Sequence, residues 1–537
     1  MKRIYYILAI TSLALTACND QLDKMPDNRL LIDSPEKVQQ TLTNAYPQIA
    51  TTLINEFSSD NIDDIGADNI YSNFLTREAA YWQTILEYNY LDGLQNIWDF
   101  HYKAISHANA ALEAIETTLK GDPALNPAKG EALVARAYAH FCLANLFCQA
   151  YNPTTSATDL GIPYITEPEA QLDPKRDRGT VAQLYQQIDR DLQVGLPLIE
   201  DSYYQMPKYH FNKKAAYAFA ARFYLYYQQW QKAVEAANVV LTTNAATTKT
   251  LVRQWSDFRD AQKTGIRSII AYGQAYARES EVANLMLQPV YSELSTTYFV
   301  ETNNRFSHAY RVAEQETFST TNLWDPHAVS KNNGYDFYWF MPFTQRADLR
   351  DIVLLPKFST FKDGSYTRTI LVPFTTDETL LVRAEAKIML GELDSAVEDL
   401  NIWTSKYLKG SQDDNPNPNG NTFTKDQIIN FYNSLAYSQS TPSGATQKKQ
   451  LHPSFTLTSE QESLIHYVLQ CRRILTMHEG LRWQDIKRYG IEVARYQHTK
   501  EERDISTIQG VLAPVDVRRA IQLPGTAIGA GMQPNPR

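Results

Sequence analysis

Past its opening residues the chain has no stretch of some 20 apolar residues, which excludes a membrane-crossing helix from the body. Cysteine is scarce, four in 537 residues, so no disulfide scaffold is expected. Cys142 and Cys148 lie six apart on one predicted helix and point to different faces. They read as buried small apolar residues. Positive charge is in deficit, 51 Lys and Arg against 60 Asp and Glu for a formal net −9, a poor fit to nucleic acid or anionic lipid. Motifs that carry chemistry are missing as well: no Gly-x-Ser-x-Gly elbow, no Gly-rich phosphate loop with its Lys, no His-Glu-x-x-His. The ten histidines are scattered, and His452, His466 and His478 have no ligand-like spacing, so neither a metal nor a cofactor is expected. Asp63-Asp64 and Asp413-Asp414 supply the carboxylate types a glycosidase needs, but adjacent acids in polar loops read as solvated surface. A hydrolase is disfavoured.

What is present begins at the N-terminus. Lys2-Arg3, a largely apolar run from Ile4 to Leu15, and then Leu15-Thr16-Ala17-Cys18 have the form of a secretory signal ending in a bacterial lipobox. Cleavage before Cys18 and acylation of its thiol make residues 1–17 the signal peptide and Cys18 the lipidated N-terminus, anchored and not spanning, since two or more acyl chains suffice for stable attachment. The alternative is an ordinary signal peptide with a chance cysteine. Composition adds 33 Tyr and 8 Trp. Tyrosine combines a flat apolar face with a hydroxyl, which suits ligands such as sugars that are apolar on one surface and hydroxylated around the edge. Tyrosines packed between helices are the competing account.

Residues 18–30 are polar and interrupted by proline, a tether between lipid and body. The body, 31–537, opens at Ser34-Pro35-Glu36 with a serine cap and a proline in the first turn. From there helices dominate. Trp98 to Leu119 and Gly130 to Ala150 carry apolar residues at helical spacing, and Asp122-Pro123 with Asn126-Pro127 breaks between them. Two later hairpins, Asn212 to Leu241 and Thr379 to Trp403, share a large apolar residue three before a small alanine (Trp230/Ala233, Leu393/Ala396). That pattern resembles the tetratricopeptide repeat, interspersed here with long excursions. The body divides at about 245 into an N-terminal helical part (31–245) and a C-terminal part (246–537). In the latter, residues 291–343 hold 13 aromatics in 53 positions without helical period, too aromatic for disorder and long enough to be functional. Residues 410–421 and 438–448 read as exposed loops, and Leu371 to Phe374 as a short strand or extended lead-in.

The densest charged motif runs from Arg472 to Arg488. On one helix Glu479, Arg482, Asp485 and Arg488 are spaced by three, which predicts an ion-pair ladder along one face. This stretch resembles the Glu-Gly-x-Arg-x-x-Asp-hydrophobic-x-Arg helix of SusD/RagB nutrient-uptake lipoproteins, with Leu475 where the family commonly has a further glutamate. Other stretches are similar to the family in the same order: Trp98 to Asn109, Glu131 to Phe147, Gly161-Ile162-Pro163 with Arg178-Gly179-Thr180-Val181, Glu378 to Gly391, and the Gln533-Pro534-Asn535-Pro536 finish.

The resemblance implies a mainly α, SusD-like fold with four embedded tetratricopeptide-like helix pairs, long loop excursions and minor β. It implies a lipid-anchored protein on the outer face of the outer membrane that lids a SusC-like TonB-dependent transporter. Such a protein binds oligosaccharide, or in some branches peptide, without cleaving it. The family's ligand patch is built from loops on the side away from the repeats, which places it here between Asp60 to Trp82 and the aromatic excursion. Trp82 and Trp324 are the expected stacking platforms, followed by Tyr71, Tyr335 and Trp339, with Asp68, Asn69 and Asn322 as polar partners and Trp98 assigned to packing.

Overall fold

The computed structural model describes residues 31–537 apart from 67–72, 87–89, 169–175, 258–268, 295–296, 298–304, 309–310, 318–322, 325–343, 346–350, 353–356, 364–365, 409–419 and 499–504. Helix α1 (Pro35–Leu42) starts as its sequence dictates, with Ser34 at the cap accepting from the Lys37 amide and Pro35 in the first turn. Short helices α2 (Thr52–Ser58) and α3 (Phe74–Ala80) flank strand β1 (Asp63–Asp64). The first long hairpin joins α4 (Leu94–Glu113) to α5 (Asn126–Phe147) through the Asp122-Pro123 break. Helix α6 (Val181–Gly195) follows behind a Thr180/Gln183 capping box, and then the hairpin α7 (Lys213–Tyr226) and α8 (Trp230–Leu241).

Helix α5 is buried nearly all round and rich in alanine, which lets its neighbours approach. At its crossing with α6 the approach is tight. A Cβ on Gly130 would stand 2.8 Å from the Gly195 carbonyl oxygen and 2.9 Å from Leu198 Cβ, so only hydrogen fits. Cys142 is half-buried on α5, and Cys148, just past the helix end, is fully buried; burial pushes the two thiols up to about 12 and about 11. With buried Cys471 they are free thiols, as their reading as small apolar residues requires.

Strand β2 (Asn284–Tyr291) belongs to a three-stranded antiparallel sheet with β4 (Ser359–Asp363) and β5 (Tyr366–Thr375), ordered β2-β5-β4. The lead-in expected at Leu371 to Phe374 is thus the end of a strand. It runs directly into α9 (Thr376–Met389), which pairs with α10 (Leu393–Tyr407) as the second repeat-like hairpin. Although 163 residues separate the matching alanines, the two hairpins stack in space, α8 against α9. Arg383 of α9 makes a bidentate pair with Asp399 (2.6 and 2.9 Å) and reaches back to Asn238 and the Thr242 carbonyl at the end of α8. One continuous apolar core runs from Val38 to Leu523.

The expected ladder is not on one helix. Helix α12 (Ser459–Leu475), which packs on α11 (Lys425–Ser434), stops, and the chain turns through His478 and Gly480, both at positive φ, before α13 (Arg482–Arg488). A Cβ at Gly480 would come within 2.8 Å of the Thr52 carbonyl oxygen, so this turn, packed against α2, requires glycine. Glu479 therefore leaves the row and accepts from Tyr276, and Arg482 turns to Asp60. Only Asp485 and Arg488 keep the i, i+3 pairing, at 2.7 Å. What forms instead is a buried chain of charges. Glu378 takes Arg222 (3.2 Å) and Arg472 (3.1 Å), Arg472 continues to Asp485 (3.1 Å), and Arg488 links Asp485 to Glu385 (2.6 Å), tying α7, α9, α12 and α13 together. Buried pairs of this kind are costly to break, since removing one partner strands the other without water.

A second clasp unites motifs far apart in sequence. Arg178 donates to the Gly161 carbonyl, the Gln533 carbonyl and Asn535 Oδ1, while Asn535 Nδ2 donates to the Phe147 and Ile521 carbonyls. This pins the C-terminus, beyond the short helix α14 (Gly525–Gly529), to the end of α5. Among the described residues no helix is long and apolar enough to cross a membrane.

Candidate ligand-binding face

Strand β1 lies at the centre of a four-stranded sheet ordered β3-β1-β6-β7, where β3 is Phe306–Ser307, β6 Val493–His498 and β7 Ile505–Leu512. Asp63 pairs antiparallel with Ser307 and Asp64 with Phe306, and Asp64 pairs parallel with Gln497. The segment from Asp60 to Trp82 and the aromatic excursion are therefore joined at β1 and β3. Cross-strand hydrogen bonds do the joining, together with ions.

The adjacent acids Asp63 and Asp64 are not solvated loop residues. Both side chains are fully buried in the sheet. Asp63 takes Arg311 (2.6 Å) and His498 (3.1 Å), and Asp64 takes Arg305 through two bonds (2.7 and 2.6 Å), Gln497 (2.9 Å), the Gly66 amide (2.9 Å) and the Tyr81 hydroxyl. Beside them Asp60 is gripped by Arg482 (2.8 Å twice) and Arg473 (3.4 Å), and Glu316 by Arg311 (2.7 Å), Arg473 (2.8 Å) and Lys449 (2.5 Å). Burial pushes each of these carboxyls up, but the cations more than reverse it. Arg473 and Arg482 hold Asp60 well below the usual range, Arg311 and His498 hold Asp63 below it, Arg305 and Tyr81 hold Asp64 below it, and Arg311 and Lys449 bring Glu316 down to about 2. All four are ionised acceptors at neutral pH, and none carries the proton a general acid needs.

The two indoles expected as platforms are core residues, which corrects that expectation. Trp82 is 2% exposed; its Nε1 donates to the Ser58 carbonyl (2.8 Å), the Arg495 guanidinium lies 5.0 Å from its ring, and the ring sits against the backbone at Gly510. Trp324 is fully buried, donating to the Tyr467 hydroxyl (3.1 Å) beside Trp403. Neither ring has a face free to stack on a sugar. Tyr71, Tyr335, Trp339, Asp68, Asn69, Asn322 and Cys18 lie outside the described residues. Trp98, assigned from sequence to packing, is half-buried and touches Tyr102 (4.8 Å) and Phe147 (5.5 Å).

Described side chains that do reach solvent on this face are Tyr81, Arg305 and Gln497, all half-buried on Asp64, with Gln509 of β7 bonded to Gln497 at 2.8 Å. The Tyr81 ring stands edge-on to Phe306, 5.4 Å between centroids. In the same segment Phe74 is 44% exposed on the outside of α3, with Arg77 over its ring at 4.7 Å. One aromatic ring beside a guanidinium and two amides offers a flat face and several hydrogen-bonding directions, enough for a hydroxylated ligand. Arg305 was discoverable from its place inside the aromatic excursion. Gln497 carried no local signal, because only strand pairing brings it to Asp64.

A family model for SusD-like proteins, described as starch-binding and associating with the outer membrane, matches residues 20–225. Solved structures share the fold over nearly the whole chain. A SusD superfamily protein from Bacteroides thetaiotaomicron is 20% identical, with 94% of this chain and 99% of that chain aligned at a TM-score of 0.62. A putative sugar binding protein from Bacteroides vulgatus is 18% identical over 95% and 99%, at 0.61. A SusD-like carbohydrate binding protein from Bacteroides vulgatus is 16% identical over 86% and 84%, at 0.55. No curated protein matches the sequence. The chain thus has the SusD-like fold along almost its full length, and its residues 20–225 match the SusD-like family model.

Proposed function

We propose that this protein captures oligosaccharide at the cell surface and passes it to a TonB-dependent outer-membrane transporter, without cleaving it. The observation that carries the reading is the joining of the 60–82 segment to the aromatic excursion at β1 and β3, with Tyr81, Arg305 and Gln497 at the solvent edge. The similarity to structures described as sugar binding and carbohydrate binding supports the ligand class. Binding by rings and fixed polar groups asks for no tuned acid or base, which agrees with carboxylates locked as ions by arginine. The lipobox at Cys18 and the outer-membrane association in the family description support attachment there.

A glycan array beside a peptide pull-down tests the ligand class. Arg305→Ala and Phe74→Ala are expected to weaken capture of the selected glycan, whereas peptide retention with an empty array would transfer the reading to peptide uptake. Released sugar from the purified protein would overturn it. Protease shaving of intact cells tests the outward orientation, and co-purification of a large barrel protein from gently solubilised membrane tests the transporter.

A further inference from the structure

On other elements of the fold lies a groove of about 640 Å³ with three walls. Helix α4 supplies the first through Gln95, Trp98, Asp99, Tyr102, Lys103 and Ser106, residues three or four apart and so on one face. The extended stretch from Pro163 to Glu167, with Arg176, makes the second. The third is the C-terminal turn around α14, where Ala527, Ala530 and Gly531 leave the space open; Gly531 holds φ +97 and a Cβ there would meet nothing within 4 Å. None of these residues belongs to the face around Asp64.

We propose that this groove is a second carbohydrate site, taking a short neutral oligosaccharide. Its volume is that of a small-molecule site, and its floor is aromatic, Trp98 and Tyr102 both half-buried with ring centroids 4.8 Å apart. Its rim is polar. Exposed Asp99 and Glu167 balance exposed Lys103 and Arg176, which favours an uncharged ligand, and Gln95 bridges Asp99 (2.8 Å) to the Thr526 hydroxyl, presenting planar amide and carboxylate groups side by side. An extended peptide pairs with a free backbone edge, and five backbone groups of the one extended wall are already bonded within the protein. Pro163 O accepts from Tyr102, Ile165 N donates to His140, and the Ile165, Thr166 and Glu167 carbonyls accept from Asn109 and Arg136. The other two walls present helical faces and a helix end, with no free strand edge for a peptide to pair with. Recognition here falls to rings and side-chain polar groups, which is how a sugar is held. The site rests on the glycan-capturing reading above and adds a second point of contact, so a long chain could be held at two places with gain in avidity.

Calorimetric titration of the full chain in detergent with maltoheptaose, cellohexaose and mannohexaose tests it. Wild type is expected to bind at least one probe at two sites. Ala530→Trp, which fills the groove from an exposed position, and Asp99→Ala, a second exposed change, are each expected to weaken one site at least tenfold and leave the other. Arg305→Ala is expected to do the reverse. Loss of all binding in Arg305→Ala, with both groove variants unchanged in stoichiometry, overturns the groove and leaves the first reading standing. Failure of every probe on wild type overturns both. Groove variants that keep full sugar stoichiometry but no longer retain a barrel protein would overturn the carbohydrate assignment in favour of protein docking.

Discussion

Replacing Trp82 separates a packing role from a ligand-stacking role, because the two predict changes in different quantities. The indole is buried, hydrogen-bonded to the Ser58 carbonyl and covered by the Arg495 guanidinium. Truncation of a core tryptophan to alanine costs ~3–5 kcal/mol, a range that takes in the lost burial and the cavity. The Ser58 carbonyl left without its donor keeps the value in the upper half, since an orphaned buried acceptor costs ~1–3 kcal/mol. The backbone supplies an internal control. Trp82 sits at φ +52, in the left-handed region that costs an L-residue ~1–2 kcal/mol and glycine almost nothing. Trp82→Gly should therefore be more stable than Trp82→Ala by about 1 kcal/mol, the opposite of the order at an ordinary position. Guanidinium unfolding followed by circular dichroism reads the stability of each variant, and glycan titration below the transition reads affinity, expected within about twofold of wild type. Unchanged unfolding midpoints with loss of glycan affinity would refute the core assignment and restore the stacking platform.

Asp92 makes the pH dependence testable. It is fully buried, accepts from Ser292 Oγ and the Glu293 amide at 2.7 Å each, and burial pushes its carboxyl up to about 7 despite those bonds. A raised folded-state value means the contribution is complete below the unfolded value near 4 and is lost as pH rises through 7, a ceiling of roughly 4 kcal/mol at one pH unit per 1.36 kcal/mol. Asp92→Asn keeps a carbonyl for Glu293 and has no charge to bury, so its melting temperature relative to wild type should climb between pH 5 and 8; a flat difference refutes the assignment. Gly130→Ala should destabilise by ~1–3 kcal/mol although alanine is the better helix former by ~1 kcal/mol, because the Gly195 carbonyl at 2.8 Å is backbone and cannot step aside. Higher stability in thermal unfolding would show that α5 and α6 have room. Arg178→Leu strands Asn535 Oδ1 and two carbonyls, so residues 533–537 should become susceptible to carboxypeptidase, with a stability loss on the order of 3 kcal/mol; a tail as resistant as wild type refutes the clasp.

Local pattern carried the helices far. Ser34-Pro35, the Asp122-Pro123 break and the spacing of Trp230 and Leu393 before their alanines report events within a few residues, where capping, proline geometry and the 3.6-residue period act alone. The Arg178 and Gln533 to Asn535 motifs were visible one by one, but their union was not, since no local rule links residues 355 apart. The candidate face was legible as two stretches of chain and illegible as a set of side chains.

The sequence by itself determined the helical character, the paired hairpins and the acidic and cysteine-poor composition, because each is written in residue type and spacing; the pairing of the two segments at the candidate face came from the family resemblance. Tertiary structure alone decided which side chains face inward. Asp63 and Asp64 read as solvated acids until Arg311 and Arg305 arrive from 248 and 241 residues away to offset their desolvation, and Trp82 read as a platform until Arg495 and the strand carrying Gly510 close over it. The ladder from Glu479 to Arg488 read as one helix face until α12 ended at Leu475 and the chain turned through His478 and Gly480, against α2, before α13. Burial belongs to what packs against a residue, and partners that remote leave no mark on the residues beside it.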